Sequence, residues 1–162
     1  MFTIGEIIDL AIRIERNGEE IYRQAAGAVS IPPLASLLVW LADQELEHEK
    51  WFVELKHTVV HTVEAPALEE MGKKILRTVL GDEAFSVKDA DFSRMEDTND
   101  LLSVALEFEK DTILFYEMLA AFIDGGQLQQ QLEKIIEEER RHVEKLEQFL
   151  ETGRLPEGVY AS

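Results

Sequence analysis

Two short segments of this chain place a glutamate three residues before a histidine. They are QELEH, which contains Glu45 and His48, and EERRH, which contains Glu139 and His142. Side chains three positions apart on an α-helix can converge on one point beside it. A carboxylate and an imidazole placed in this way can bind a transition-metal ion. A single Glu-x-x-His also arises by chance in an acidic helix, so the second copy is what makes the spacing informative.

The two segments belong to an internal repeat in which equivalent residues are 94 positions apart. This offset relates His48 to His142 and Glu45 to Glu139. Other identical pairs at the same offset include Glu15 and Glu109, Tyr22 and Tyr116, Ala11 and Ala105, Ala26 and Ala120, Leu34 and Leu128, and Leu38 and Leu132. So many matches in one register indicate a duplicated helical hairpin.

Four long segments show the three- and four-residue spacing of apolar side chains that is typical of helices. We expect helices at about 4–29, 33–61, 99–124 and 127–152, and a crossover at about 63–97 that contains a short helix near 67–80. The long crossover lets the second and third helices run parallel, whereas the short links form antiparallel hairpins. The predicted fold is therefore all-α, a single four-helix-bundle domain over residues 1–162 with one long crossover.

The repeated ionisable residues fall on the apolar sides of these helices. The six residues are Glu15, Glu45, His48, Glu109, Glu139 and His142. A buried carboxylate without compensation costs several kcal/mol, and no lysine or arginine shares this side at the same levels. Two divalent cations would balance four glutamates and leave the histidines as neutral ligands, with iron or manganese favoured over zinc. The alternative is a protonated or water-filled cluster that binds no metal.

The same residues resemble the rubrerythrin group of the ferritin-like di-iron proteins. The resemblance lies in AIRIERNGEEIY and ALEFEKDTILFY followed by QELEH and EERRH, and it covers all four helices. It implies two iron ions, with Glu45 and Glu139 bridging them, Glu15 and Glu109 as terminal ligands, one per metal, and His48 and His142 completing each metal. Tyr22 and Tyr116 would donate hydrogen bonds to these carboxylates, or would simply be core tyrosines.

The resemblance implies an oxidoreductase that reduces hydrogen peroxide or dioxygen. Peroxide-reducing rubrerythrins usually have a further glutamate one turn along the third helix, where this chain has Thr112 and, in the other half, Gly18. The chain contains no cysteine and lacks the usual rubredoxin domain, so an external electron donor is expected. Two alternatives remain. One is ferroxidase activity in iron handling, which is disfavoured because no fifth helix is expected after residue 152. The other is a non-enzymatic metal-binding or sensing module.

Composition limits the partners. The net charge of −17 disfavours nucleic acid, no apolar run is long enough to span a bilayer, and no signal peptide is recognisable. A cytoplasmic location is expected.

Trp40 and Trp51 on helix two, and Leu114 and Met118 on helix three, have polar counterparts in the repeat, so we expect the crossover or a homodimer partner to cover them. The run Glu137–Glu138 is expected to be a solvated surface.

Overall fold

The computed structural model describes residues 2–58, 62–63, 70–75, 95–123 and 126–160 of the chain. Its helices are α1 (Ile4–Ala28), α2 (Pro32–Thr58), α3 (residues 70–75 of the crossover), α4 (Met95–Ala120) and α5 (Gly126–Thr152). The four long helices form the predicted bundle of two hairpins joined by one long crossover. Beside them lies a two-residue antiparallel pair, β1 (Phe2–Thr3) with β2 (Thr62–Val63), which the sequence analysis did not predict.

The link between α1 and α2 follows from local chemistry. The carbonyl of Ala25 accepts the last bond of α1 from the amide of Val29 at 3.0 Å, and the carbonyl of Ile31 accepts the first bond of α2 from the amide of Ala35 at 3.0 Å. Pro32 takes the first helical position, where its missing N–H is not needed. The chain can therefore reverse within three residues and hold α2 antiparallel to α1.

Helix α4 begins and ends about four residues earlier than the sequence pattern indicates. After Ala120, three consecutive amides bond to carbonyls three residues back, ending with Ile123 to Ala120 at 3.3 Å. This tighter winding ends the α-helix although the apolar pattern continues to Ile123. The sequence interval predicted for α2 after Thr58, and most of the interval 67–80, lie outside the described residues.

The core consists of regular apolar stripes. On α5 the buried positions recur every three or four residues, and they are Leu132, Ile135, Ile136, Glu139, His142, Leu146 and Phe149. Helix α1 has the same pattern, with Glu15 among its buried residues. On the outer surface, ion pairs such as Arg16–Glu49 at 2.7 Å and Arg140–Glu117 at 2.8 Å connect the two helices of each hairpin. These pairs are partly exposed, so each contributes no more than about 1 kcal/mol.

The apolar side of α2 that was expected to be covered by the crossover or by a homodimer partner is partly covered by α5 of the same chain. The indole of Trp51 donates a hydrogen bond to Gln131 of α5 at 2.9 Å, and Trp40 packs edge-on against His142 of the same helix. Leu114 on α4 remains 49% exposed. None of the described helices is long and apolar enough to cross a membrane.

The crossover helix α3 packs closely against α1 and α4 at Gly72. A Cβ atom at this position would lie 3.0 Å from Leu10 Cδ1 and 3.0 Å from Phe115 Cε2. Such distances are shorter than ordinary van der Waals contacts, and the Phe115 ring is fully buried. Glycine is therefore what allows α3 to approach the bundle.

We expect Gly72→Ala to lower the free energy of unfolding by about 1–3 kcal/mol, because the added methyl group overpacks the contact with Phe115. The matched control is Gly27→Ala on α1, where an added Cβ would meet nothing within 4 Å. That change should stabilise the protein by about 0.5–1 kcal/mol, because alanine favours the helix. Urea unfolding of both variants measures the difference. Equal effects at the two positions would contradict the close packing.

Candidate metal centre

Each long helix contributes to one buried cluster at the centre of the bundle. Helix α1 supplies Glu15 and α4 supplies Glu109; α2 supplies Glu45 with His48, and α5 supplies Glu139 with His142. Five of these side chains are completely buried and His48 is 3% exposed. The six residues selected from the sequence repeat are therefore brought together.

The cluster consists of two overlapping sets of four possible ligands. One set is Glu15, Glu45, His48 and Glu139, and the other is Glu45, Glu109, Glu139 and His142. Within each set, one ligand atom from every residue lies within 4.8 Å of the others. Glu45 and Glu139 belong to both sets, which is the arrangement that bridging carboxylates require. Each set adds one glutamate and one histidine of its own.

Both imidazoles direct Nδ1 towards the carboxylates. His48 Nδ1 is 2.9 Å from Glu139 Oε1 and 3.7 Å from Glu15 Oε2. His142 Nδ1 is 2.9 Å from Glu139 Oε2, 3.2 Å from Glu45 Oε1 and 3.4 Å from Glu109 Oε2. The rings are nearly parallel, at 18°, with centroids 5.7 Å apart. The donor atoms thus face a common centre.

Tyr22 and Tyr116 connect the two halves crosswise. The hydroxyl of Tyr22 on α1 donates to Glu109 Oε1 on α4 at 2.6 Å, and the hydroxyl of Tyr116 on α4 donates to Glu15 Oε1 on α1. Burial and the neighbouring carboxylates raise the pKa of both phenols well above its ordinary value, so both remain donors. Each tyrosine therefore fixes one oxygen of a glutamate and leaves the other free to face the cluster.

Without a metal, charge within the cluster is balanced by protons. Burial opposes the charge on both imidazoles, but Glu139 and a second glutamate raise the pKa of His48 and of His142 well above its usual value. Burial also opposes ionisation of Glu15 and Glu139, yet their histidine neighbours lower the pKa of each. Two imidazolium ions thus face two carboxylates.

The other two glutamates retain protons more strongly. Burial and the charge of Glu139 raise the pKa of Glu45 well above its ordinary value. Burial, again with Glu139, raises the pKa of Glu109 to about 7. In the metal-free protein Glu45 therefore keeps its proton to higher pH than an ordinary glutamate, and Glu109 is partly protonated near neutral pH.

The residues fit a pair of metal ions. Among the described residues, Glu15 Oε2, both oxygens of Glu45, Glu109 Oε2, Glu139 Oε2 and His142 Nδ1 are buried and make no hydrogen bond of good geometry, although Glu139 Oε2 and His142 Nδ1 lie 2.9 Å apart. Buried polar atoms are normally satisfied, and these converge on one place. Carboxylate and imidazole donors suit divalent iron or manganese. The unsatisfied atoms are those that two divalent ions would contact.

Two features around the cluster were not apparent from the sequence alone. Glu138 contacts His48 Nε2 at 2.8 Å, so its assignment to the solvated surface was wrong. The repeat concealed this residue because its counterpart is Gln44 rather than a glutamate. At Gly18, a Cβ atom would lie 2.9 Å from Glu45 Oε2, so the absence of a side chain makes room for a shared carboxylate.

The sequence profile of the rubrerythrin family matches residues 6–80 and 100–161. The match includes all six residues of the cluster and both tyrosines. This chain belongs to the rubrerythrin family. No curated protein matches the sequence significantly.

A solved structure gives the same fold as this rubrerythrin-family chain. It is a protein of Thermotoga maritima described as a ferritin-like diiron-carboxylate protein, with a TM-score of 0.66 and 22% sequence identity. The alignment covers 94% of this chain and 97% of the other. At this identity the likeness establishes the ferritin-like fold.

We expect binding of two Mn²⁺ ions to release about two or more protons per chain near neutral pH, at least those of the two imidazolium groups. Further protons would come from Glu45 and partly from Glu109. Because the pKa of Glu109 is about 7, the metal-free protein loses this proton as pH rises through 7, and the number released should fall by about one. Titration calorimetry in two buffers of different ionisation enthalpy measures the number of protons released. Binding without proton release would place the ligands elsewhere.

Proposed function

We propose that this chain is a non-haem di-iron oxidoreductase that reduces hydrogen peroxide or dioxygen. The observation that carries the proposal is the pair of overlapping ligand sets that share Glu45 and Glu139. Membership of the rubrerythrin family supports iron as the metal, with manganese or zinc as other possible occupants of the same donors.

The chain's own residues would hold and orient the metals. Glu15 and His48 would bind one ion and Glu109 and His142 the other, with the two shared glutamates between them. With two ferrous ions held by these residues, the site would supply the two electrons that, together with two protons, convert one hydrogen peroxide to two water molecules. Tyr22 and Tyr116 would keep the terminal glutamates in place.

Burial would keep bulk water away from these groups. The four glutamates are 0% exposed, and the walls above and below them are apolar, including Leu38, Leu41 and Leu132. In such a site the electrostatic effect of each carboxylate on a bound ion is stronger than in water. The described residues contain no cysteine, so the electrons would come from a separate redox protein.

The central test is anaerobic loading with ferrous iron, followed by separate mixing with hydrogen peroxide and with dioxygen. We expect two irons per chain and ferric absorbance that appears much faster with peroxide. Faster reaction with dioxygen would favour an oxidase or ferroxidase instead. An iron-loaded protein that is inert to both oxidants would contradict the proposed activity.

The variant Glu45→Ala should lose metal binding, because it removes a ligand shared by both sets. Its matched control is Glu47→Ala, which removes an exposed carboxylate two residues away on the same helix. Retention of two metals by the first variant would show that the bridging assignment is wrong.

One observation favours a non-enzymatic metal-binding or sensing role. Thr112 is fully buried where peroxide-reducing relatives usually have another glutamate, and its hydroxyl has no hydrogen-bond partner in the described part of the chain. The site would consequently offer six protein ligands rather than seven. The oxidant-mixing experiment distinguishes this role from catalysis.

We also propose that the protein is a homodimer. Leu114 is 49% exposed on α4, and the neighbouring Met118 on the same side is only half-buried. Light scattering should give a mass of about twice the 18.5 kDa of one chain. Leu114→Lys should shift the mass towards the monomer because it places a charge in an apolar interface. A wild-type monomer would contradict the proposal.

A further inference from the structure

The two halves of the cluster differ at the histidine nitrogen that faces away from it. His48 Nε2 lies 2.8 Å from Glu138 Oε2, and the side chain of Glu138 is 26% exposed. His142 Nε2 is buried and has no hydrogen-bond partner within the described ranges. The duplication therefore reproduced the groups that face the metals but not the groups behind them.

The repeat shows which residues changed. Glu138 corresponds to Gln44, and Lys134 corresponds to Trp40, in each case 94 residues apart. Lys134 Nζ lies 3.9 Å from Glu138 Oε1, on the polar side of His48. Trp40 packs edge-on against His142, with ring centroids 5.4 Å apart at 78°. His48 is thus contacted by a charged, partly exposed side chain, and His142 is contacted by an aromatic ring.

The contact with Glu138 affects how His48 can act as a ligand. A carboxylate at Nε2 keeps a proton on that nitrogen, so Nδ1 offers its lone pair towards Glu15 and Glu139 once its own proton is displaced. It also fixes the ring orientation and raises the electron density on the donor atom. Loss of such a supporting carboxylate typically costs 10–100-fold in metal affinity.

The negative charge of Glu138 also favours binding of a cation beside His48. Glu45 and Glu139 are shared, and Glu15 and Glu109 contribute one carboxylate to each end. Glu138 adds a further negative group that contacts the His48 end, and its charge acts more weakly on His142. Part of its effect is lost to solvent and to Lys134, but no comparable carboxylate contacts His142 Nε2 among the described residues.

We propose that Glu138 makes the two metal positions unequal, so that the position formed with Glu15 and His48 binds a divalent ion more tightly than the position formed with Glu109 and His142. This inference rests on the proposed di-metal function. It makes Glu138 a positioning residue, which acts through His48 and does not itself contact the metal.

The test is anomalous diffraction from crystals of the full chain grown with one equivalent of Co²⁺. In the wild type, we expect most of the ion at the His48 position and little at the His142 position. Glu138→Gln keeps the size and hydrogen-bonding capacity of the side chain but removes its charge. We expect this change to lower the affinity of the first position by about 10–100-fold and to distribute the ion over both positions.

The matched control is Glu137→Gln. It removes the same charge one residue away, where Glu137 is 57% exposed and pairs with Arg140. This variant should bind Co²⁺ as the wild type does. Calorimetry should resolve two binding steps for the wild type and for Glu137→Gln, and a single step for Glu138→Gln.

Three other results would contradict the inference or the proposed function on which it rests. Equal occupancy in the wild type, or an excess at His142, would overturn the inference while leaving the di-metal site intact. The same redistribution in both variants would show that net charge is responsible and Glu138 is not. Absence of bound Co²⁺ from the cluster would instead contradict the proposed function. Because an equal distribution in the wild type overturns the inference by itself, that outcome does not depend on how well either variant folds.

Discussion

The burial of six ionisable side chains in an apolar bundle is the constraint on which the rest of this structure depends. Moving even one unpaired carboxylate into such an environment costs several kcal/mol, and the cluster contains four. In the metal-free protein, protons on the imidazoles and on Glu45 and Glu109 reduce this cost. Two divalent cations would replace those protons. The charge of the same pocket can therefore be reduced in two ways, by protons or by metal ions.

A bundle of long helices can satisfy this constraint because each helix holds its ligands rigidly. The Glu-x-x-His spacing brings two donors from one helix together, and the crossed hydrogen bonds from Tyr22 and Tyr116 tie α1 to α4 through the cluster. Gly18 allows α1 to approach the carboxylate of Glu45, and Gly72 allows α3 to close over α1 and α4. Polar and apolar contacts thus determine one set of helix positions.

Features that repeat with helical period could be predicted from the sequence. The bundle, the hairpins and the convergence of Glu45 with His48 all follow from helical spacing and from the 94-residue offset. The end of α4 could not be predicted, because the apolar pattern continues to Ile123 while the hydrogen bonds shift to a tighter turn. The role of Glu138 was also missed, since an acidic run on a helix usually marks a solvated surface and its contact with His48 depends on how α2 and α5 pack.

Duplication explains why the unpredicted features concentrate outside the ligand set. A repeat can preserve ligand spacing in both halves because both halves must contribute equally to a shared pair of glutamates. The residues behind the ligands are under no such requirement, so one histidine can have Glu138 and the other Trp40 without disturbing the bundle. A symmetric scaffold thereby contains two chemically different environments. Any difference between two metal ions bound to these residues would then have to arise from these outer contacts, because the two sets contain the same types of ligand.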